Sequence, residues 1–173
     1  MLATLKFFFQ YVVKQPEKLN GISYQRVNSR LPEIIGKEEL WKRINAIQDV
    51  RYKAIFTVIG MTGLRVTECC RLRLEDFNKT SDPKTIIVRE GKGSKDRQVP
   101  YGQTVRQALK EYFPKRKQSQ WIFHGENPNN YISPSTIEKN CRILLDMHPH
   151  QIRHCYAVRY LEAGGDIHTL KNL

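Results

Sequence analysis

The sequence predicts a mainly helical domain with a small antiparallel β-sheet at its edge, an α+β arrangement, and three observations carry that expectation. Tyr52, Ile55, Phe56 and Ile59 recur at i, i+3, i+4 and i+7, the spacing of one buried helix face. Ile137, Cys141, Leu144 and Leu145, at i, i+4, i+7 and i+8, line another helix late in the chain. Between them, Thr85 to Arg89 is β-branched and alternating, and a second extended run ends at Gln98 to Pro100. The stretch joining these runs is G-K-G-S-K-D-R, Gly91 to Arg97, so they form a β-hairpin with a glycine-rich, basic tip. With 173 residues, 40% of them apolar, the chain is long enough to bury one main core.

The elements follow in order. Leu2, Leu5, Phe9 and Val12 make an opening helical stripe that Phe7 and Phe8 widen beyond one face, a load that asks for a packing partner, such as a domain outside this chain. Residues 15–32 hold Pro16, Asn20, Gly21, Asn28, Ser29 and Pro32 among basic side chains and read as a linker. A helix starts at Lys37, with Glu38 and Glu39 in the first turn, where the dipole favours negative charge, and Leu40, Ile44 and Ile47 toward the core. The Tyr52 helix follows. Gly63 supplies the backbone freedom to end it, and a second short helix starts beside Arg65. Leu72, Leu74 and Phe77 lead into a loop at Asn78 to Lys84, ahead of the hairpin.

Beyond the hairpin, Thr104 is placed to cap a helix bearing Val105, Ala108, Leu109 and Tyr112, which Pro114 stops. Lys115 to Lys117 reads as a solvated basic loop, and Trp121 to Phe123 as a short third strand. Ser133 with Pro134 opens the next helix. His148 to His154, H-P-H-Q-I-R-H, opens the last long one, broadly apolar through Tyr156, Ala157, Val158, Tyr160 and Leu161. Gly164 and Gly165 end it, and Asp166 caps a helix from Ile167 that reaches barely two turns by Leu173, so this end reads as cut.

Charge narrows the function. Lys and Arg outnumber Asp and Glu by 29 to 17, a net +12, and such a surplus suits a polyanion whose counterions are released on binding. Cys69, Cys70, Cys141 and Cys155 show no C-x-x-C pair and read as buried, reduced thiols of a cytoplasmic protein. The apolar run from Phe7 to Val13, broken by Gln10, is too short for a membrane span and lacks the cleavage pattern of a signal peptide.

Two stretches carry chemistry. In T-G-L-R-V-T-E, Thr62 to Glu68, Arg65 and Glu68 share a face three residues apart; a carboxylate there orients the guanidinium and leaves other donors free for an anion. By itself the pair is the ordinary ion pair of a surface helix. His150 and Arg153 are also three apart, so an imidazole and a guanidinium can meet on the same oxygen atoms. Three nearby histidines invite a zinc reading, which the basic setting and the lack of a carboxylate or thiolate at ligand spacing disfavour. Nor does the glycine-lysine tip have the spacing of a phosphate-binding P-loop.

Taken together, T-G-L-R-V-T-E, G-K-G-S-K-D-R-Q-V-P and H-Q-I-R-H followed by A-x-x-x-L-E-A-G-G-D resemble the tyrosine recombinase family of phage-type integrases, over nearly the whole chain. The resemblance implies a tyrosine-recombinase-like catalytic domain that clamps a DNA phosphate while a tyrosine attacks it, giving a 3′-phosphotyrosine bond and a free 5′-hydroxyl. By motif position Arg65 and Arg153 would grip the phosphate, Lys92 would protonate the 5′-oxygen, His150 would assist proton transfer and Glu68 would order the cluster. Lys95 is the alternative to Lys92. The implied partners are double-stranded DNA and, for a full-length protein, other recombinase protomers; no cofactor or metal is implied. It also implies that residues 1–14 are the last helix of a core-binding domain, 15–32 a linker and 33–173 a catalytic domain. The family's L-G-H or L-G-W motif and its nucleophilic tyrosine would lie beyond Leu173, leaving this chain without its nucleophile, and Tyr156 and Tyr160 would be core or groove-wall residues. A non-catalytic DNA-binding integrase remnant and, less favoured, a helix-turn-helix regulator are the competing expectations.

Overall fold

Helix α1 (Lys37–Ala46) carries Glu38 and Glu39 in its first turn and buries Leu40 and Ile44, with Ile47 buried just past its end. Next, the Asp49 carboxylate accepts the backbone N–H groups of Arg51 and Tyr52 at 2.8 and 3.4 Å, which satisfies donors that a helix start leaves orphaned. It opens α2 (Val50–Thr62), the central helix of the fold. The computed structural model describes residues 8–15, 17, 35–78, 80, 82–89 and 96–172.

On α2 the sequence predicts one buried face, whereas Ala54 through Gly60 are buried without a break. The reason is its position: α2 packs against α1, α3 (Val66–Cys70), α4 (Gln103–Tyr112), α5 (Pro134–Leu145) and α6 (Pro149–Glu162), so it has no solvent face to keep polar. Small residues allow this crowding. A Cβ on Gly60 would sit 3.3 Å from Ile152 Cγ2 and 3.4 Å from the Trp41 ring, the point where α1 and α6 close on α2.

The remaining starts and stops obey short-range rules. Ser133 accepts the Thr136 N–H at 3.1 Å ahead of α5, and Asp166 accepts the Thr169 N–H at 2.8 Å at the start of α7 (Ile167–Asn172). One expectation fails here: the N-cap of α4 is Gly102, and Thr104 lies inside the helix. The sheet is antiparallel, in the order β1 (Phe77–Asn78), β2 (Thr85–Val88), β3 (Arg97–Pro100), with Val88 opposite Arg97 and Ile86 opposite Val99. Ile86, Val88 and Val99 are buried in the same apolar cluster as Phe56, Ile59 and Phe123, so the sheet's inner face completes the core. The third strand is thus Phe77–Asn78. Residues 121–123, expected as a strand, make a single bridge from Trp121 to Arg73 and pass backbone hydrogen bonds from Ile122 to Leu72 and from Ile132 to Phe123.

The chain divides into two compact units, residues 1–33 and 34–173. In the first, residues 8–11 are helical and Phe8, Tyr11 and Val12 are exposed; Leu2, Leu5, Phe7 and residues 18–32 of the expected linker lie outside the described residues. Among the described residues no helix is long and apolar enough to cross a membrane.

Helix α2 ends on Gly63, in the left-handed region at φ +68, with its N–H bonded to Ile59 O at 2.9 Å. A Cβ there would fall 2.4 Å from Tyr156 Cδ1 of α6, so this position demands both the glycine backbone and its missing side chain. Gly63→Ala is expected to destabilise the domain by about 1–3 kcal/mol from the backbone conformation alone, with the clash adding to it. The check is a thermal melt, in which each kcal/mol lowers Tm by roughly 2–4 °C.

Candidate active site

The turn at Gly63 delivers Arg65 to the N-terminus of α3, where it is the N-cap rather than a residue within the helix. Its own backbone N–H donates to Glu68 Oε2 at 2.8 Å, and its Nη1 donates to Glu68 Oε1 at 2.6 Å. One carboxylate therefore caps the helix and aims the guanidinium. The Arg65 side chain remains 31% exposed while that of Glu68 is 7% exposed, which leaves arginine donors facing outward from a buried anchor.

Glu68 holds a second cation. Arg97, the first residue of β3, donates from Nη1 to Oε1 at 3.0 Å and from Nη2 to Oε2 at 2.8 Å, a two-pronged pairing. Burial by itself would raise the Glu68 carboxyl. The hydrogen bonds from Arg97, from the Arg65 backbone and from the Arg65 guanidinium outweigh it and hold the group below its ordinary value of 4.5.

Arg153 approaches from α6. It is half-buried, and its titration is pushed down first by burial, then by the positive charge of Arg65, with Glu68 opposing and Arg97 adding to the repulsion. The charges of Arg65, Glu68 and Arg97 all bear on Arg153, so α6 brings it within electrostatic range of that cluster although it lies far along the chain. Its Nη1 is buried with no hydrogen-bond partner among the described residues. Three guanidiniums around one carboxylate leave two positive charges unneutralised, and a buried, unsatisfied cation is costly unless an anion meets it.

His150 stands one turn before Arg153, in the first turn of α6, and is exposed. Its ring stacks on that of the N-cap His148 at 5.2 Å, and its backbone N–H donates to His148 Nδ1 at 3.3 Å. Lys92 and Lys95 lie outside the described residues, in the stretch 90–95 between β2 and β3. Among the described residues no three His, Cys, Asp or Glu side chains gather as a metal site.

Other reactive groups near this cluster are occupied elsewhere. Cys69, Cys70, Cys141 and Cys155 are free and buried, and burial pushes Cys70 and Cys141 up to about 12, which keeps those thiols protonated at neutral pH. The Tyr156 ring packs over Gly63, and the Tyr160 ring over Gly165; burial also raises the Tyr156 phenol. In the basic loop, Lys115 and Lys117 are exposed, while Arg116 donates to the carbonyls of Ser119 and Trp121 and so braces the loop.

Arg97 is the member of the cluster that reading the sequence passed over, as one basic residue of a basic tip. A signal was present: strand side chains alternate, Val99 is apolar, and so Arg97 falls on the same inward face. A charge on a core-facing position requires a buried partner.

Comparisons with known proteins bear on the family and the fold. Residues 35–173 match the model of the phage integrase family. The tyrosine recombinase XerA of Pyrococcus horikoshii is 31% identical over 100% of this chain and 62% of its own length. A putative integrase/recombinase of Sinorhizobium fredii, y4qK, is 28% identical over 99% of this chain and 58% of its own length. Among solved structures, the XerA recombinase superposes with a TM-score of 0.71 at 27% identity, covering 98% of this chain and 63% of that one. The fold is shared by XerH bound to its difH substrate, at a TM-score of 0.73 and 21% identity over 98% of this chain and 55% of that one. The chain thus spans about three-fifths of the length of these relatives.

Proposed function

The chain belongs to the phage integrase family of tyrosine recombinases, and we propose that residues 34–173 form its phosphate-gripping catalytic unit, which acts on double-stranded DNA in site-specific strand cleavage and rejoining through a 3′-phosphotyrosine. What supports this reading is that Glu68 holds the Arg65 guanidinium while the charges of Arg65, Glu68 and Arg97 act on a half-buried Arg153. A phosphodiester brings one negative charge in the ground state and develops another on its non-bridging oxygens as the phosphorus becomes five-coordinate. Fixed guanidinium donors are worth most at that moment, because they need not reorganise. That is the charge work that metal ions do in other phosphoryl transfers.

In this reading Arg65 and Arg153 each bond a non-bridging oxygen, and Glu68 keeps Arg65 from swinging away. Lys92 protonates the departing 5′-oxygen, with Lys95 as the rival for that role. His150, one turn before Arg153, takes part in proton transfer at the attacking hydroxyl. Tyr156 and Tyr160 are wall residues, since each ring is spent against a glycine, and neither is assigned as the attacking tyrosine. Assembly with further protomers on DNA belongs to the same proposal.

Duplex binding tests the groove directly. Affinity for a mixed-sequence duplex is expected to fall steeply as salt rises, and Arg65→Ala should lower the slope of log affinity against log salt by about 1, the loss of one phosphate contact. A flat salt response, or an Arg65→Ala slope equal to that of the unaltered chain, would overturn the reading. A helix-turn-helix regulator reading base edges would instead lose sequence preference when other residues are changed, with Arg65 indifferent.

A further inference from the structure

We propose that the recess between the start of α2, the end of α4 and the basic loop 115–117 is a second anion site, which takes a phosphate group and acts apart from the Arg65 and Arg153 grip. The recess has a volume of about 520 Å³, and Arg51, Tyr112, Lys115, Arg116, Lys117 and His124 line it. Helix α2 has 13 residues, so at about 1.5 Å of rise per residue its first turn stands about 20 Å from the Gly63 end that delivers Arg65. One phosphate cannot serve both places.

The recess is built on buried donors that the fold leaves unmatched. Tyr112 belongs to the buried stripe of α4 with Val105, Ala108 and Leu109, and its ring stacks on Phe123 at 5.5 Å. It is only 2% exposed, yet its hydroxyl is buried with no hydrogen-bond partner among the described residues, and so are Arg51 Nε and Arg116 Nε. Both guanidiniums are pinned by other atoms: Arg51 donates from Nη2 to His124 O, and Arg116 from Nη2 to the carbonyls of Ser119 and Trp121. Carbonyls fix a guanidinium without neutralising it. The His124 ring is occupied, since Nε2 accepts the Lys117 N–H at 3.3 Å and Nδ1 lies 2.6 Å from Gly125 O. Burial raises the Tyr112 phenol, the charges of Arg51 and Arg116 oppose the rise and that of Asp49 adds to it, so the hydroxyl lies within electrostatic range of all three.

Charge points to what enters. Arg51, Lys115, Arg116 and Lys117 face the recess with Asp49 as the one acid among its described lining residues, and that carboxylate caps α2 through the Arg51 and Tyr52 N–H groups. Water would satisfy a stray donor but not the surplus charge; an oxyanion meets both needs. A tetrahedral phosphate suits donors that arrive from α2, from α4 and from the loop better than a planar carboxylate does. Stability gives no reason for the hydroxyl, because phenylalanine at 112 would keep the stack and remove an unpaired polar group. The phosphate is either free in solution or part of a DNA backbone outside the grip.

Acetylation of Lys115 and Lys117 reads the recess, with Lys42, exposed on α1, as the reference. The chain is treated with a water-soluble acylating reagent in inorganic phosphate, in chloride of equal ionic strength, and with a mixed-sequence duplex at low salt, and each lysine is followed by mass spectrometry. Phosphate is expected to slow both lysines by about fivefold relative to Lys42, because an anion in contact keeps an ammonium protonated. Tyr112→Phe should melt in chloride as the unaltered chain does and raise the half-protecting phosphate concentration by about tenfold, the loss of one hydrogen bond to a charged group. Arg65→Ala should leave phosphate protection unchanged, which separates this site from the grip. Protection by phosphate alone makes a free phosphate the occupant, and protection by phosphate and duplex makes it a backbone phosphate; both support the site. Protection by the duplex alone, equal slowing of Lys42, or loss of protection in Arg65→Ala overturns it. So does a Tyr112→Phe curve that superimposes on that of the unaltered chain. Should Tyr112→Phe fail to fold, Arg116→Lys, which keeps the charge and loses Nε, is read by the same criterion.

Discussion

Arg153→Ala is expected to slow DNA strand cleavage by about 10²- to 10³-fold, the usual effect of removing one fixed donor to a developing oxyanion, while leaving folding stability within about 1 kcal/mol. The two halves of this expectation have one cause. Arg153 is half-buried, is repelled by Arg65 and Arg97, and has an Nη1 with no partner among the described residues. It therefore contributes little to the folded state, and removing it relieves repulsion in exchange for a modest loss of packing by its aliphatic stem. Its worth appears only when a phosphate arrives. Arg153→Lys should recover little of the rate, because an ammonium cannot reproduce a planar, forked donor. Single-turnover DNA cleavage, set beside a thermal melt of the same variant, checks both halves. A variant that melts far below the parent and cleaves slowly for that reason would make Arg153 a structural residue.

Glu68→Ala should do the opposite and act first on stability. It leaves Arg65, Arg97 and Arg153 facing one another with no carboxylate among them. Removing one partner of an enclosed ion pair costs about 3–5 kcal/mol, and at roughly 2–4 °C per kcal/mol the melting temperature falls on the order of 10 °C. The Arg65 arm, 31% exposed, accounts for the smaller share because water screens it. The same contribution has a pH signature. Because the folded carboxyl titrates below its ordinary value of 4.5, the stabilisation is fully present above that value and is lost as pH falls through the lowered one. Denaturant melts of the unaltered chain should lose stability in acid below about pH 4.5, and those of Glu68→Gln should be flatter across that window. Parallel curves for the two would remove Glu68 as the hub.

Much of this site was legible in the chain. Arg65 with Glu68, and His150 with Arg153, stand out because a helix brings side chains three apart onto one side. Gly63 announces itself because few other residues tolerate its backbone conformation. Ser133 with Pro134, and Asp166, mark helix starts by bonds that span three residues. Three expectations failed: α2 lost its polar face to helices distant in sequence that pack around it, the third strand formed at Phe77–Asn78 rather than at 121–123 through pairing with Thr85–Ile86, and Thr104 yielded the cap of α4 to Gly102, two residues earlier.

The amino-acid sequence by itself determined where most elements begin and end, the cationic character, and which two arginines and which glutamate to watch, because capping, turn geometry and helical spacing are settled within about four residues. Only the tertiary structure decided that Arg153 comes within electrostatic range of Arg65, and that Arg97, 29 positions from Glu68, takes both of its oxygens. Charge pairing across such separations depends on how the hairpin and the helices pack on α2, and packing is a property of the whole core, which no short stretch of residues contains.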